Sequence, residues 1–155
     1  MIKTELLHLV RERLRGELDR LRTANKQASI GAVDEESRAE SKWDTQGLEA
    51  SYLARGYARQ YEELVKQVES LSDFTPESGV GKAIRLGSLV ECEMNGFSNW
   101  FFLLPCCGGM EVDHDGIEYT MITPESPVGD ALSGKIEGAG FQLPSGATGT
   151  VVSVL

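Results

Sequence analysis

Proline is missing from the first 75 residues, and all five prolines lie at Pro76 or beyond. A stretch of that length without a helix breaker admits long, uninterrupted helices. Cysteine is scarce as well. Only Cys92, Cys106 and Cys107 are present, two of them adjacent, which excludes a disulfide framework and points to a reduced, cytoplasmic setting. No segment approaches the ~18 consecutive apolar residues of a membrane span. Met1-Ile2-Lys3-Thr4-Glu5 places charge where a signal peptide has its apolar core, so no membrane partner is expected. Basic residues are outnumbered by acids, 15 to 24, for a net charge of −9; that balance excludes a general attraction to nucleic-acid phosphates. Cys92, Cys106, Cys107 and His114 are the available soft ligands, but no CxxC pair exists and adjacent cysteines are poorly placed to chelate one metal together. No stably bound cofactor is expected. Cys107-Gly108-Gly109 reads as a flexible loop, and His8 as a solvent-facing residue of the first helix.

What is present begins with two apolar stripes. Leu7, Val10, Leu14, Leu18 and Leu21 are spaced three and four apart, and so are Tyr57, Tyr61, Leu64, Val68 and Leu71, entered through Tyr52 or Leu53. Both are narrow helical stripes of the kind that seals a coiled coil. Two such helices in one short chain bury their stripes most simply against each other, antiparallel. Leu7 with Leu71, Val10 with Val68, Leu14 with Leu64 and Leu21 with Tyr57 have position numbers that all add to 78. The apex is therefore expected near residue 39, with Gly31 and Gly47 placed symmetrically about it. An arm of this kind reaches roughly 50 Å.

Charge varies along the arm. Residues 1–26 hold seven Lys or Arg against four acids, whereas residues 34–49 hold six acids against Arg38 and Lys42. The acidic tip fits two descriptions: a solvated loop whose acids favour a helix start, or carboxylates carried to a distant Mg²⁺ site. The arginines at 11, 13, 15, 20 and 22 either meet an acidic partner or RNA, or pair with Glu12, Glu17 and Asp19 nearby.

The second half changes character. Residues 76–81 read as a linker between a hairpin domain, 1–75, and a β-rich domain, 82–155. Strands are expected at Ser88–Met94, Asn99–Leu104, Ile117–Ile122, Gly140–Leu143 and Thr148–Val154, with Asn95-Gly96 as a hairpin turn. Pro127–Leu132 reads as a short helix capped by Ser126. The fold class is α+β: an antiparallel coiled-coil hairpin plus a small antiparallel sheet with one short helix.

The run Ile122-Thr123-Pro124-Glu125-Ser126-Pro127-Val128-Gly129-Asp130-Ala131-Leu132-Ser133-Gly134-Lys135 is the most specific feature of the chain. With Gly138, Phe141, Pro144, Gly146 and Val151–Val154, it resembles the C-terminal domain of the Gre family, the bacterial transcript-cleavage factors GreA and GreB and their relatives. The motif residues Ser126, Pro127, Gly129, Ala131, Leu132, Gly134 and Lys135 carry the resemblance, and most have structural work to do as cap, packing face and helix stop. The resemblance implies an FKBP-like second domain that docks on RNA polymerase. It also implies a hairpin inserted into the secondary channel, where acidic tip residues share a transient Mg²⁺ with the polymerase site and contact with nascent RNA is indirect. Such a factor is no enzyme itself; the two-metal chemistry belongs to the polymerase. A monomer is expected.

At the tip the chain departs from the family pattern, Asp-x-x-Glu-Asn-Ala-Glu-Tyr. Asp44 matches the aspartate, Gly47 occupies the glutamate position, and the interval to Tyr52 is one residue longer. Glu49 and Glu40 are the candidates to compensate. Asp44 suits either a metal-binding role or an N-cap. Trp43 either stacks on a base or packs back on the hairpin. Two other functions fit parts of the chain: an FKBP-like prolyl isomerase, given Phe97, Trp100, Phe101, Phe102, Tyr119 and Phe141, or a coiled-coil adaptor.

Overall fold

The computed structural model describes the backbone of residues 1–38 and 46–155, and the side chains of residues 1–24, 26 and 55–155. The fold is α+β. Helix α1 spans Ile2–Arg38 and α2 spans Gln46–Ser72. Six strands follow: β1 Leu89–Met94, β2 Phe97–Leu103, β3 Glu111–His114, β4 Ile117–Ile122, β5 Gly140–Gln142 and β6 Thr148–Val154, with α3 at Pro127–Leu132 between β4 and β5. The chain divides into two compact units, one made of residues 11–69 and the other of residues 1–10 with 70–155.

In the first unit α1 and α2 run side by side. Leu14 is buried, and Leu18, Leu21, Tyr57, Tyr61, Leu64 and Val68 are half-buried along both stripes. The Arg22 guanidinium donates to the Tyr61 hydroxyl at 3.0 Å and sits 5.8 Å from the centre of that ring. Their position numbers exceed the pairing sum of 78 by five. Helical side chains lean toward the N-terminus of their own helix, so in an antiparallel pair these two reach toward each other, which accounts for the offset. Helix α1 runs on through Gly31 to Arg38. The expected apex near residue 39 lies outside the described residues.

The second unit is built on a six-stranded sheet of order β3-β4-β2-β1-β6-β5. The pair β2–β4 is parallel, with Trp100 opposite Tyr119 and Leu103 opposite Ile122, while the other pairs are antiparallel. The expected wholly antiparallel sheet is thus corrected to a mixed one. The difference comes from β3, which sequence patterning missed: only Val112 of its four residues is buried, so an edge strand of Glu, Val, Asp and His has little apolar alternation to show. With β3 folded back on β4 through Asp115-Gly116, β4 enters beside β2 in the same direction as β2. Both tight hairpins use a residue in the left-handed region followed by glycine, Asn95-Gly96 and Asp115-Gly116, as two-residue turns demand. The first of these brings Phe97 opposite Met94, so β2 begins two residues before the expected Asn99.

Alternation in β1, β2 and β4 buries both faces. Val90, Cys92, Leu103 and Ile122 pack with Leu132, Phe141, Val151 and Ile84 on one side, with Val128 and Ala131 of α3 against them. Leu89, Phe102 and Met121 point the other way and are equally inaccessible, as are Leu6, Val10 and Leu71 from the helix ends in this unit. The Lys3 ammonium anchors the start of α1 by donating to the carbonyls of Gly87 and Leu155, both at 2.9 Å, and to that of Glu77. Glu77 in turn pairs with Arg85 at 2.6 Å. The linker-like stretch is held close: a Cβ on Gly79 would lie 2.5 Å from the Leu155 carbonyl oxygen. Burial, then the repulsion of Arg85 and Lys82, holds the Lys3 amine below the usual lysine range, and the carbonyls stabilise its charged form. Replacing Lys3 with Met removes charge-assisted bonds from three acceptors; a loss of roughly 1–3 kcal/mol in urea denaturation is expected.

Candidate functional site

The motif around α3 is assembled from short-range bonds. The Ser126 backbone, at φ −67° and ψ 154°, is extended. Its hydroxyl accepts from the Gly129 N–H at 3.0 Å and donates to the Thr123 carbonyl at 2.7 Å. Pro127 follows at the first helical position, where its missing N–H costs nothing. At the other end the Ser133 hydroxyl donates to the Gly129 carbonyl at 2.6 Å. Gly134 then takes φ +79° and leads out of the helix.

Gly129 has a different task from the helix-ending glycine. A Cβ there would fall 1.8 Å from the Thr123 carbonyl oxygen, so the first turn of α3 lies directly on the end of β4. That approach lets Leu132 reach the core, where it is fully buried. The Ser-Gly-Lys turn after the helix is stitched to the chain before β1: the Gly134 N–H donates to the Ile84 carbonyl, and the Ile84 N–H to the Lys135 carbonyl, each at 2.8 Å. Lys135 thereby borders an open groove of about 720 Å³ lined also by Glu93, Asn95, Phe141, Gln142 and Thr148. The groove is open and bears both signs of charge, from Lys135 and Glu93.

Glu40, Trp43 and Asp44 lie outside the described residues, and so does the side chain of Glu49, although its backbone belongs to α2. Cys92 and His114 are not grouped with the adjacent Cys106 and Cys107. Cys92 is sealed in the core, where burial and then the charge of Glu91 push its thiol up to about 12. His114 Nε2 meets Glu5 Oε2 at 2.7 Å. Among the described residues no three His, Cys, Asp or Glu side chains are grouped to hold a metal. His8 is exposed, as expected. The aromatics do not share one site: Phe102 and Tyr119 are buried, Phe97 is 73% exposed, the Trp100 and Tyr119 rings lie 5.8 Å apart at a tilt of 51°, and only Phe141 of this set borders the large groove. An aromatic-lined isomerase pocket is not assembled by these residues. On the basic face of α1, Arg15 pairs with Glu12 at 2.8 Å, but Arg22 spends its charge on Tyr61.

No protein-family model matches the chain, and no curated protein matches it. Among solved structures, it is similar to the GreA factor homolog 1 (Gfh1) protein of Thermus thermophilus, at 24% identity over 94% of each chain and a TM-score of 0.38. A structure of the transcription factor Gfh1 aligns at 23% identity over 93% of this chain and 92% of that one, with a TM-score of 0.40. Thermus aquaticus Gfh1 aligns at 26% identity over 92% of both, with a TM-score of 0.37. At TM-scores of 0.40 or below these superpositions do not bear on function, which is read from the residues.

Two substitutions separate the roles within the motif. Ser126→Ala removes the cap bond from Gly129 and the bond to the Thr123 carbonyl and should cost about 1 kcal/mol. Gly129→Ala must displace α3 from β4 and should cost about 3 kcal/mol. Thermal and urea unfolding of the two variants measure the difference.

Proposed function

We propose that this chain is a transcription elongation factor that binds bacterial RNA polymerase, docking through the β-rich domain and inserting the hairpin into the secondary channel. The observation that carries the reading is the Ile122–Lys135 run. Its likeness to the Gre signature extends over fourteen consecutive residues, and those residues form one cooperative device: capped helix, close approach at Gly129, clasp at Ile84. The long paired helices of α1 and α2 supply the thin arm such a channel requires. Mg²⁺ at the tip would be shared with the polymerase, with Asp44 as its ligand from this chain. In this reading the factor modulates elongation or the rescue of backtracked complexes and has no catalysis of its own.

Gly47 favours a second form of the same reading. A tip with one matched carboxylate, Asp44, lacks the partner acid of the family pattern, and a regulator that occupies the channel without stimulating cleavage needs no such pair. Two measurements decide. The full-length chain should be retained on immobilised core polymerase; no retention would sink both forms. Stalled complexes carrying backtracked RNA then separate them. Shortened transcripts that Asp44→Ala abolishes indicate cleavage stimulation, whereas an altered elongation rate with transcripts intact indicates regulation alone.

A further inference from the structure

Adjacent side chains on an extended backbone point to opposite sides, which is why neighbouring cysteines are a poor chelate on paper. The connection from β2 to β3 breaks that rule. Leu104 N–H donates to the Ile122 carbonyl and Gly109 N–H to the Met121 carbonyl, both at 2.8 Å, and Met121 N–H returns a bond to the Met110 carbonyl at 2.7 Å. The loop expected to be flexible is thus pinned to β4 on both sides of the cysteine pair. Between the pins Cys107 takes φ +67° and the two Sγ atoms come within 3.4 Å of each other.

That backbone conformation is unusual for the residue that holds it. The other described non-glycine residues at positive φ are Asn95 and Asp115, types whose short polar side chains tolerate the left-handed region. Cysteine has no such dispensation. Glycines stand next door at 108 and 109, so the turn does not need a cysteine for its geometry. A side chain held in a sparsely populated conformation is a pointer to use of that side chain.

We propose that Cys106 and Cys107 form a vicinal-dithiol site that chelates a trivalent, monosubstituted arsenical. Two sulfurs 3.4 Å apart and each bonded to one central atom at about 2.3 Å subtend roughly 95° at that atom. This is narrower than tetrahedral and suits a pyramidal trivalent centre with a lone pair. The absence of a third grouped ligand among the described residues matches a centre whose third valence is already filled by carbon. Thiol sulfur is soft and so is trivalent arsenic. A disulfide would require the sulfurs to close to about 2.05 Å, whereas a bridging arsenic spans the separation already present.

The step is a condensation. An arsonous acid, R–As(OH)₂, exchanges two As–O bonds for two As–S bonds, each thiol proton leaves with a hydroxide as water, and arsenic stays trivalent. Cys106 is only partly buried and attacks first; its hydrogen bond with Cys107 holds its thiol below the usual range, against the opposing effect of burial. Cys107, 8% exposed, closes the ring. Cys92, fully buried with a thiol pushed up to about 12, stays unreactive. The site rests on this local geometry and is independent of the polymerase reading.

The test treats the reduced full-length chain with phenylarsonous acid and reads intact mass under native conditions. One adduct per chain is expected, equal to the reagent less two waters, reversed by a small dithiol and resistant to a monothiol. Cys106→Ser and Cys107→Gly should each weaken apparent affinity by roughly 100-fold or more, as loss of the second attachment does; Cys107→Gly relaxes the turn and keeps the fold. Cys92→Ser should bind as the parent chain does. An unmodified parent chain, an adduct displaced by a monothiol, or one retained in Cys106→Ser would overturn the proposal.

Discussion

Strands β1, β2 and β4 bury side chains on both faces, and a sheet that does so needs cover on each side. Val90, Leu103 and Ile122 look toward α3, while Leu89, Phe102 and Met121 look away from it. Both α3 and the buried helix-end residues Leu6, Val10 and Leu71 follow from this requirement. A six-residue helix could not hold its place by propensity alone, because helices this short are marginal in water. It is held by a cap at Ser126, by a core anchor at Leu132 and by backbone approach at Gly129.

The same requirement explains why the first ten residues belong with the sheet. Lys3 gathers carbonyls from Glu77, Gly87 and Leu155, so one ammonium ties the start of α1 to three separate points of the chain. His114 on the edge strand β3 meets Glu5 of α1. Residues 1–10 of α1 thus belong to the unit that holds the sheet, and its residues from 11 on to the other unit.

The arrangement has separable parts. The α3 motif is fixed by its cap, by the close approach at Gly129 and by the bonds to Ile84, while α1 and α2 form a helical pair. The cysteine turn on β4 is a third part. Gly108 lies against Thr123, where a Cβ would be 3.2 Å from the threonine methyl, and the Thr123 carbonyl holds Ser126. Chemistry at the cysteines thus sits one packed contact away from the anchor of the motif.

Local pattern was enough to read the two helices, the strands at Ile117–Ile122 and Thr148–Val154, and α3 with its cap, because periodicity, turn residues and capping are properties of neighbouring positions. It was enough, too, to place an apolar stripe on each helix, since a spacing of three and four is a property of a single helix. Tertiary structure alone decided the rest. Edge strand β3 has one buried residue and no periodic signal, so the parallel β2–β4 pair could not be inferred without it. Gly129 read as an ordinary helix residue, and only the Thr123 carbonyl beneath it shows why no side chain fits. The cysteine pair was discounted on the alternation rule, which holds for extended backbone. A left-handed turn at Cys107, fixed by bonds to a distant strand, reversed that conclusion. Contacts between residues remote in sequence set each of these features, and such contacts leave no trace in local spacing.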